Sequence, residues 1–364
     1  MIRCRGCPLI VLLALFSLAA CSGEDDARPV PSSGASVSAA TSTTLNFYNW
    51  EEYILPELIQ EFETATGIHV NLRTYRDEDD ILAAVQSGQR NVDLMVVSDS
   101  VVLELQRARL LRELDSALIP NLSYARAHPS YFKSPGDELL SVPYMAGWSG
   151  VIVNTRHVTE KEATWNVLWN PAYQGRIAML DNSLEVLGAG FKALGYGLNS
   201  EDPAEMRTVR AKLLAQQPLL AGYLNAVAII DGMVSGELWA AQLYNGDAFE
   251  AMQENPALRF FIPVEGAAFW IDCLVVPRSA PHPDAAMRFI NFLQTPSVMA
   301  RNARFLCYQP VNLPALDLLP EDFRNAPEVF PPRDALARCE RNAILSPEAM
   351  RERLAVWAQL QAAE

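Results

Sequence analysis

An indole and a carboxylate stand two residues apart in the apolar run 266–277, at Trp270 and Asp272. The run is rich in aromatic and β-branched residues and is bounded by glycine and proline, which predicts a strand. Because alternate residues of a strand point the same way, Trp270 and Asp272 share one face and Cys273 points to the other. An aromatic ring beside a carboxylate can bind an organic cation. The alternative is a core tryptophan beside an aspartate that caps the strand end.

Strands and helices alternate along the first part of the chain, and they predict where such side chains would meet. The βαβαβα order favours a doubly wound α/β sheet with right-handed crossovers. Ligands of such sheets bind beyond the carboxyl ends of the strands, which here are residues 49–53 and 98–100. The predicted strands are 45–49, 68–75 and 93–97, and the predicted helices are 55–66, 79–88 and 101–109.

A second group of elements follows the extended run 141–154, which could lead the chain into a second domain. About 320 folded residues are too many for one compact core, so two domains are expected. The strand at 266–277 would then bring the chain back. The other predicted elements of this part are strands 177–181 and 238–243 and helices 183–194 and 285–293.

The N-terminal residues 1–20 are predicted to be a leader. Arg3 and Arg5 precede a short apolar segment that ends in Leu-Ala-Ala before Cys21, which resembles a bacterial lipoprotein signal. That resemblance implies that Cys21 becomes the first mature residue and carries the lipid. An ordinary signal peptide is the alternative. Residues 21–43, rich in Ser, Ala, Pro, Gly and acids, are predicted to be a flexible tether.

The chain is acidic, with a formal net charge of −14. Loss of Arg3 and Arg5 with the leader would bring this charge to −16. Such a balance argues against a nucleic-acid partner and favours a cationic small ligand. Solubility alone is the other explanation of the charge.

Three cysteines follow Cys21 in the sequence, at positions 273, 307 and 339. An exported protein can form a disulfide, and Cys307 with Cys339 is the expected pair if one forms; free thiols are the alternative. Cys273 is predicted to be a buried thiol on the strand face opposite Asp272.

Patterns that carry catalysis are missing from the sequence. The four histidines are scattered, and there is no HExxH pair, Walker A loop, GxGxxG or GxSxG motif. We therefore expect no enzymatic activity, no metal site and no cofactor.

Four motifs taken together resemble a known family, at residues 47–53, 93–98, 269–272 and 308–312. The chain is similar to the extracytoplasmic polyamine-binding proteins, the spermidine and putrescine receptors of ABC importers. The resemblance implies an α/β, two-lobed periplasmic binding protein fold of type II, with the ligand cleft between lobes that close on the ligand. The implied lobes are 44–145 with 274–308, and 146–273 with 309–364.

The resemblance also implies which residues contact the ligand. Aromatic residues would pack against the methylene chain, acids would pair with the amines, and polar groups would complete the site. These residues are Trp50, Tyr53, Tyr244, Trp270 and Tyr308; Glu185, Asp247 and Asp272; and Ser98. A polyamine needs such an arrangement, because its spaced ammonium groups require spaced counter-charges and its carbon links require apolar contact.

Departures from the family pattern leave the ligand open. Glu51 replaces a small hydroxyl residue and adds a carboxylate at the cleft, Asn182 replaces an acid, and Tyr244 replaces a tryptophan. Putrescine, cadaverine, agmatine and spermidine therefore all stay candidates. The resemblance implies a protein that delivers its ligand to ABC permease subunits. Together with the leader pattern at Cys21, it leads us to expect a lipid-anchored monomer at the extracytoplasmic membrane face, in the periplasm. A sensor that signals to a membrane partner, or the same fold with another cationic solute, are the alternatives.

Overall fold

A mixed β-sheet runs through the molecule. The computed structural model describes residues 44–75, 78–88, 91–126, 133, 135–159 and 163–362. The predicted leader, the tether and Cys21 lie outside the described residues. The strands in the described ranges are β1 (Thr44–Trp50), β2 (His69–Tyr75), β3 (Leu94–Ser98), β4 (Val142–Asn154), β5 (Ile177–Leu180), β6 (Leu220–Leu224), β7 (Ala240–Tyr244), β8 (Leu258–Phe261), β9 (Phe269–Val275) and β10 (Gln309–Pro310).

Helices connect these strands and cover the sheet. None of those in the described part of the chain combines the length and apolar character that a membrane span requires. The α-helices are α1 (Pro56–Thr66), α2 (Glu78–Gln86), α3 (Asp99–Arg107), α4 (Leu122–Arg126), α5 (Ser183–Ala193), α6 (Pro203–Gln216), α7 (Ala226–Ser235), α8 (Asn245–Glu254), α9 (Pro283–Leu293), α10 (Pro296–Leu306), α11 (Leu313–Leu316), α12 (Glu321–Arg324), α13 (Arg333–Leu336) and α14 (Pro347–Gln361). Short 3-10 helices cover Ser116–Leu118, Trp165–Trp169, Pro171–Tyr173 and Gln217–Leu219.

The sheet has two parallel ends and an antiparallel middle. Its strand order is β2-β1-β3-β9-β4-β7-β5-β6. β1 pairs in parallel with β2 and β3, and β5 pairs in parallel with β6 and β7. Between them β9 and β4 run antiparallel to each other and to their outer neighbours. The predicted α/β architecture is confirmed, with the correction that antiparallel strands join its two parallel groups.

Local sequence explains several element boundaries. All thirteen residues of β4 are buried, which fits a strand that crosses the centre of the sheet. Helix α1 has Pro56 in its first turn and ends at Gly67, whose φ of 69° suits a residue without Cβ. Helix α3 begins at Asp99, two residues before the predicted start. The apolar pattern begins at Val101, whereas the helix includes the acidic residue that its positive N-terminus favours.

Side chains pack into two main groups. The largest cluster, called here the first core, joins residues of 45–145 to residues of 274–329 and also contains Phe249 of α8. The second core joins residues of 151–267 to Val356 and Leu360 of α14. Two smaller clusters lie around Val97 on β3 and around Ile152 on β4. The sheet thus connects two packed bodies, each with its own parallel strands.

The C-terminal segment divides between these bodies. Ala315, Phe323 and Val329 pack in the first core, and the ring of Phe323 lies 5.5 Å from that of Phe249 on α8. Leu336 packs against the cluster around Ile152 instead. The segment before residue 330 therefore contacts both bodies, and the sequence-based boundary at 308 stays a prediction.

The cysteines show one departure from the sequence prediction. Cys339 carries a free thiol, so the predicted disulfide with Cys307 is wrong. Cys307 is buried in the first core, whereas Cys339 packs against the second core, and the sequence could not reveal this separation. Cys273 is fully buried as predicted.

Candidate ligand-binding cleft

A cavity of about 530 Å³ is lined by residues from both bodies. Its volume lies in the range of roughly 300–1,000 Å³ that small-molecule sites occupy. All of the residues predicted as ligand contacts line it: Trp50, Glu51, Tyr53, Ser98, Asn182, Glu185, Tyr244, Asp247, Trp270, Asp272 and Tyr308.

Asp272 lies at the centre of the sheet, and only 7% of its surface is exposed. It faces Ser98 in the register between β9 and β3. The hydroxyl of Tyr53 donates a hydrogen bond of 2.7 Å to Asp272 Oδ2. Burial and the nearby Asp272 raise the pKa of Tyr53 well above its usual value. Tyr53 therefore stays a neutral donor and orients this carboxylate.

Tyr53 is positioned through its main chain. Its carbonyl oxygen accepts hydrogen bonds from Asn49 Nδ2 at 2.8 Å and from the hydroxyl of Tyr144 at 3.0 Å. Asn302 Nδ2 donates to that same hydroxyl at 2.5 Å. Asn49, Tyr144 and Asn302 are buried, so this network ties the loop after β1 to β4 and α10. Such support fixes the side chain before any ligand arrives.

Aromatic rings form a continuous row along the cavity. The Tyr244 and Trp270 rings lie 6.3 Å apart, those of Trp270 and Tyr308 lie 5.2 Å apart, and those of Tyr308 and Tyr53 lie 5.9 Å apart. Each pair meets edge to face, the arrangement that ring quadrupoles favour. Trp50 packs against Tyr75, with ring centroids 4.5 Å apart.

Two glycines make room for these rings. A Cβ at Gly147 would lie 2.3 Å from the Trp270 ring, and a Cβ at Gly246 would lie 2.6 Å from the Tyr308 ring. Both separations are far below van der Waals contact. The sequence showed glycines at these positions but gave no sign of what they contact.

Glu185 is a buried acid in the first turn of α5. Its carboxylate accepts a hydrogen bond from the Ser149 hydroxyl, and its main-chain oxygen accepts one of 2.8 Å from Gln242. Burial raises the pKa of Glu185 to about 7, although the Ser149 hydrogen bond opposes the shift. A cation beside Glu185 would favour its charged form.

Asp247 is a second acid with weakened ionisation. It lies in the first turn of α8, next to Gly246, and not in the turn that its Asn-Gly context could also have formed. Burial and the neighbouring Glu250 raise the pKa of Asp247 to about 7, while a hydrogen bond from Tyr308 lowers it. The ionised form of Asp247 is therefore disfavoured without a ligand, and a bound cation would stabilise it.

The polar residues Asn182 and Ser98 already have protein partners. Asn182 Oδ1 caps α5 by accepting from the main-chain nitrogens of Leu184 and Glu185, at 3.0 and 3.1 Å. The hydroxyls of Ser98 and Ser100 lie 2.9 Å apart. The ligand contact predicted for Asn182 stays a prediction, and its oxygen is committed to the helix.

Four further acids line the cavity and were not predicted to do so from the sequence. Glu52 follows Glu51, Asp99 lies between two serines, Asp181 precedes Asn182, and Glu250 follows Asp247 by one helical turn. The sequence signal for these acids was their position next to, or one helical turn from, a predicted ligand contact. Among the described residues, eight carboxylates and no lysine, arginine or histidine line this cavity.

These features define a class of protein. Two α/β bodies joined by antiparallel strands, with one cavity between them and buried polar groups facing it, are the architecture of a two-lobed solute-binding protein. The chain belongs to the family of bacterial extracellular solute-binding proteins, which matches residues 57–331. The resemblance drawn from the sequence motifs is thereby confirmed.

Relatives and solved structures support the same class. The chain is 30% identical over 306 residues to a spermidine/putrescine-binding periplasmic protein of Escherichia coli, covering 83% of this chain and 87% of that one. A structure assigned to a spermidine/putrescine ABC transporter of Listeria monocytogenes aligns with a TM-score of 0.83 at 30% identity, over 89% of this chain and 100% of that one. A lipoprotein structure from Treponema pallidum aligns with a TM-score of 0.77 at 25% identity, over 87% and 99% of the two chains.

Proposed function

We propose that this protein captures a polyamine in the cleft, namely putrescine, spermidine or a related diamine such as agmatine. The observation that carries the proposal is the combination of eight carboxylates with a row of aromatic rings in one cavity, without a basic residue among its described lining residues. Buried carboxylates lose hydration, and the ammonium groups of a polyamine would restore their electrostatic balance. The names of the E. coli and L. monocytogenes relatives support this class of ligand.

Three acids are the proposed partners of the amines. Asp272 comes from the central strand β9, whereas Glu185 and Asp247 come from helices that follow β5 and β7. Because these acids lie on different elements around one cavity, a ligand with two or more charges can contact several of them at once. Glu51 adds a further carboxylate at the cavity.

Aromatic rings are the proposed partners of the carbon chain. Trp50 ends β1, Tyr53 lies in the loop after it, and Trp270 lies on β9 between Tyr244 and Tyr308. Methylenes next to an ammonium carry part of its charge, so they gain both dispersion and cation–π attraction at such rings. Ser98 and Asn182 contribute polar surface at the same cavity.

Delivery to an ABC permease is the proposed physiological role. The L. monocytogenes relative is named for an ABC transporter, and the T. pallidum structure is of a lipoprotein. We infer a monomer that is anchored at the extracytoplasmic membrane face through a lipid on Cys21, in the periplasm of a cell with two membranes. The ligand would be released unchanged, since relatives in this family are solute-binding transport proteins.

The two-body architecture suits reversible capture. A ligand that contacts acids from both bodies has a higher affinity for the closed arrangement, so it shifts the population toward closure. Closure excludes water, which strengthens each charge pair.

Titration calorimetry of the mature protein with putrescine, cadaverine, agmatine, spermidine and butylamine would test the proposal. We expect at least one diamine or triamine to bind more than about tenfold tighter than the monoamine, because only the former can meet two carboxylates. Equal affinity for butylamine and putrescine, or binding of none of these amines, would contradict it. Ligand recovered unchanged after overnight incubation would be the expected result for a binding protein.

A further inference from the structure

One acid of the cavity already has a cationic partner within the protein. Asp99 is 3% exposed, and its carboxylate lies 3.6 Å from Arg341 Nε. The guanidinium also lies over the ring of Phe269, 5.4 Å from its centroid. Arg341 itself is not one of the residues that line the cavity, although the adjacent Asn342 is.

The two residues of this ion pair belong to different bodies. Asp99 begins α3, whose Val101 and Val102 pack around β3. Arg341 follows Glu340, whose main chain pairs with Phe269 at 2.8 Å and whose carboxylate pairs with Lys192 on α5. Asn199 Nδ2 donates to the main-chain oxygen of Arg341 at 2.8 Å. The pair therefore joins the two bodies.

The Arg341 guanidinium supplies a counter-charge to a carboxylate that a cationic group of a ligand could otherwise use. Burial raises the pKa of Asp99 to about 6, and Arg341 opposes that shift. Because Arg341 already supplies a counter-charge, a ligand ammonium would add little to the stabilisation of the Asp99 carboxylate. The guanidinium would also repel an ammonium group bound nearby. Asp272, Glu185 and Asp247 remain the carboxylates proposed as partners of the ligand amines.

We propose that Arg341 is a specificity-determining residue, an internal cation that satisfies Asp99 and thereby favours short dicationic ligands over longer ones with a third charge. This inference rests on the proposed polyamine function and deepens it by naming diamines as the preferred class. Specificity arises here from a repulsive element as well as an attractive one.

The test compares putrescine with spermidine by calorimetry at pH 8, on the wild type and on Arg341→Gln. We expect the ratio of spermidine to putrescine affinity to rise by about tenfold in the variant, the size of one additional charge-assisted contact. Putrescine affinity should change less than about threefold, which corresponds to less than one such contact. Arg341→Met, which keeps the apolar stem over Phe269, should give the same result and serves if the glutamine variant folds poorly.

Two controls separate charge from packing. Arg338→Gln removes a nearby arginine that pairs with Asp334 at 3.8 Å and does not line the cavity. The ratio of spermidine to putrescine affinity in this variant should therefore equal the wild-type ratio. Adding Asp99→Asn to Arg341→Gln should abolish the gain for spermidine, because the counter-charge is then gone.

An unchanged ratio in both Arg341 variants, or equal weakening of both amines, would overturn the inference while leaving the proposed function in place. A rise in the spermidine to putrescine ratio that persists when Asp99→Asn is added to Arg341→Gln would overturn the inference as well. Failure of the wild type to bind either amine would overturn the proposed function, and this inference with it.

Discussion

Tyr53 and Asp272, which lie 219 residues apart in the chain, share a buried hydrogen bond of 2.7 Å between the phenol hydroxyl and Oδ2. The phenol stays protonated because burial and Asp272 raise its pKa. A neutral donor leaves the negative charge of the carboxylate intact while it fixes the orientation of the group. The pair therefore presents a preoriented anion at the centre of the cleft.

Replacing Asp272 by asparagine should weaken putrescine binding by more than tenfold, or about 1.4 kcal/mol. The shape and the acceptor for Tyr53 are kept, so the loss reports the charge. Calorimetry measures the effect, with Cys273→Ser as the matched control, because that fully buried side chain points to the other face of β9. Wild-type affinity in the Asp272 variant would show that the charge of this carboxylate does not contribute to binding.

Putrescine affinity should rise by at least about tenfold between pH 5.5 and 8, because cation binding requires ionised Glu185 and Asp247. Burial raises the pKa of both groups to about 7. Below that pH, binding must release protons, which calorimetry in buffers of different ionisation heat can count. Glu185→Gln and Asp247→Asn should each reduce the number released. Binding that neither varies with pH nor releases protons would contradict this assignment.

The same two acids should make the ligand-free protein less stable as pH rises from about 4 to about 7. In that interval the unfolded chain, with carboxyl pKa values of 3.8 and 4.5, loses protons before the folded state does. Above pH 7 both states are ionised, and this contribution levels off. Thermal unfolding across the interval should therefore show a midpoint that falls with pH, and the fall should be smaller in Glu185→Gln. An identical slope in wild type and variant would exclude Glu185 as its source.

Alanine at Gly246 should lower the free energy of unfolding by about 1–3 kcal/mol and weaken putrescine binding, since its Cβ would displace the Tyr308 ring. Gly188→Ala on α5 is the matched control. There the nearest atom is Leu198 Cδ1 at 2.8 Å, the end of a flexible side chain that can move. Thermal unfolding and calorimetry of both variants give the comparison. Equal effects at the two glycines would show that the contact with Tyr308 has no special role.

Labelled palmitate should enter the wild-type protein expressed in a bacterial host and should not enter Cys21→Ala. The reason is the leader pattern that ends in Leu-Ala-Ala before Cys21. Cys307→Ala is the control, because Cys307 is buried in the first core and should not affect labelling. Label that persists in Cys21→Ala would show that the lipid is attached elsewhere.

Many residues of the cleft could be predicted from the sequence, because local patterns determine the strand face or strand end on which they lie. Alternation along a strand placed Trp270 and Asp272 on one face. The βαβ order placed Trp50, Tyr53 and Ser98 at carboxyl ends of strands, where the cavity lies. Several elements were not predicted, among them α6, α7, α10 and α14.

Tertiary structure alone decided which distant groups meet. Asp99 and Arg341 are 242 positions apart, and their pairing depends on the segment around Glu340 joining β9. Cys307 and Cys339 ended in different cores, which no count of cysteines could reveal. The sequence by itself determined the types of side chain and the faces of the elements that carry them, since those follow from local geometry. Which charges are neutralised, and which stay open to a ligand, depends on contacts across the cleft that only the folded chain creates.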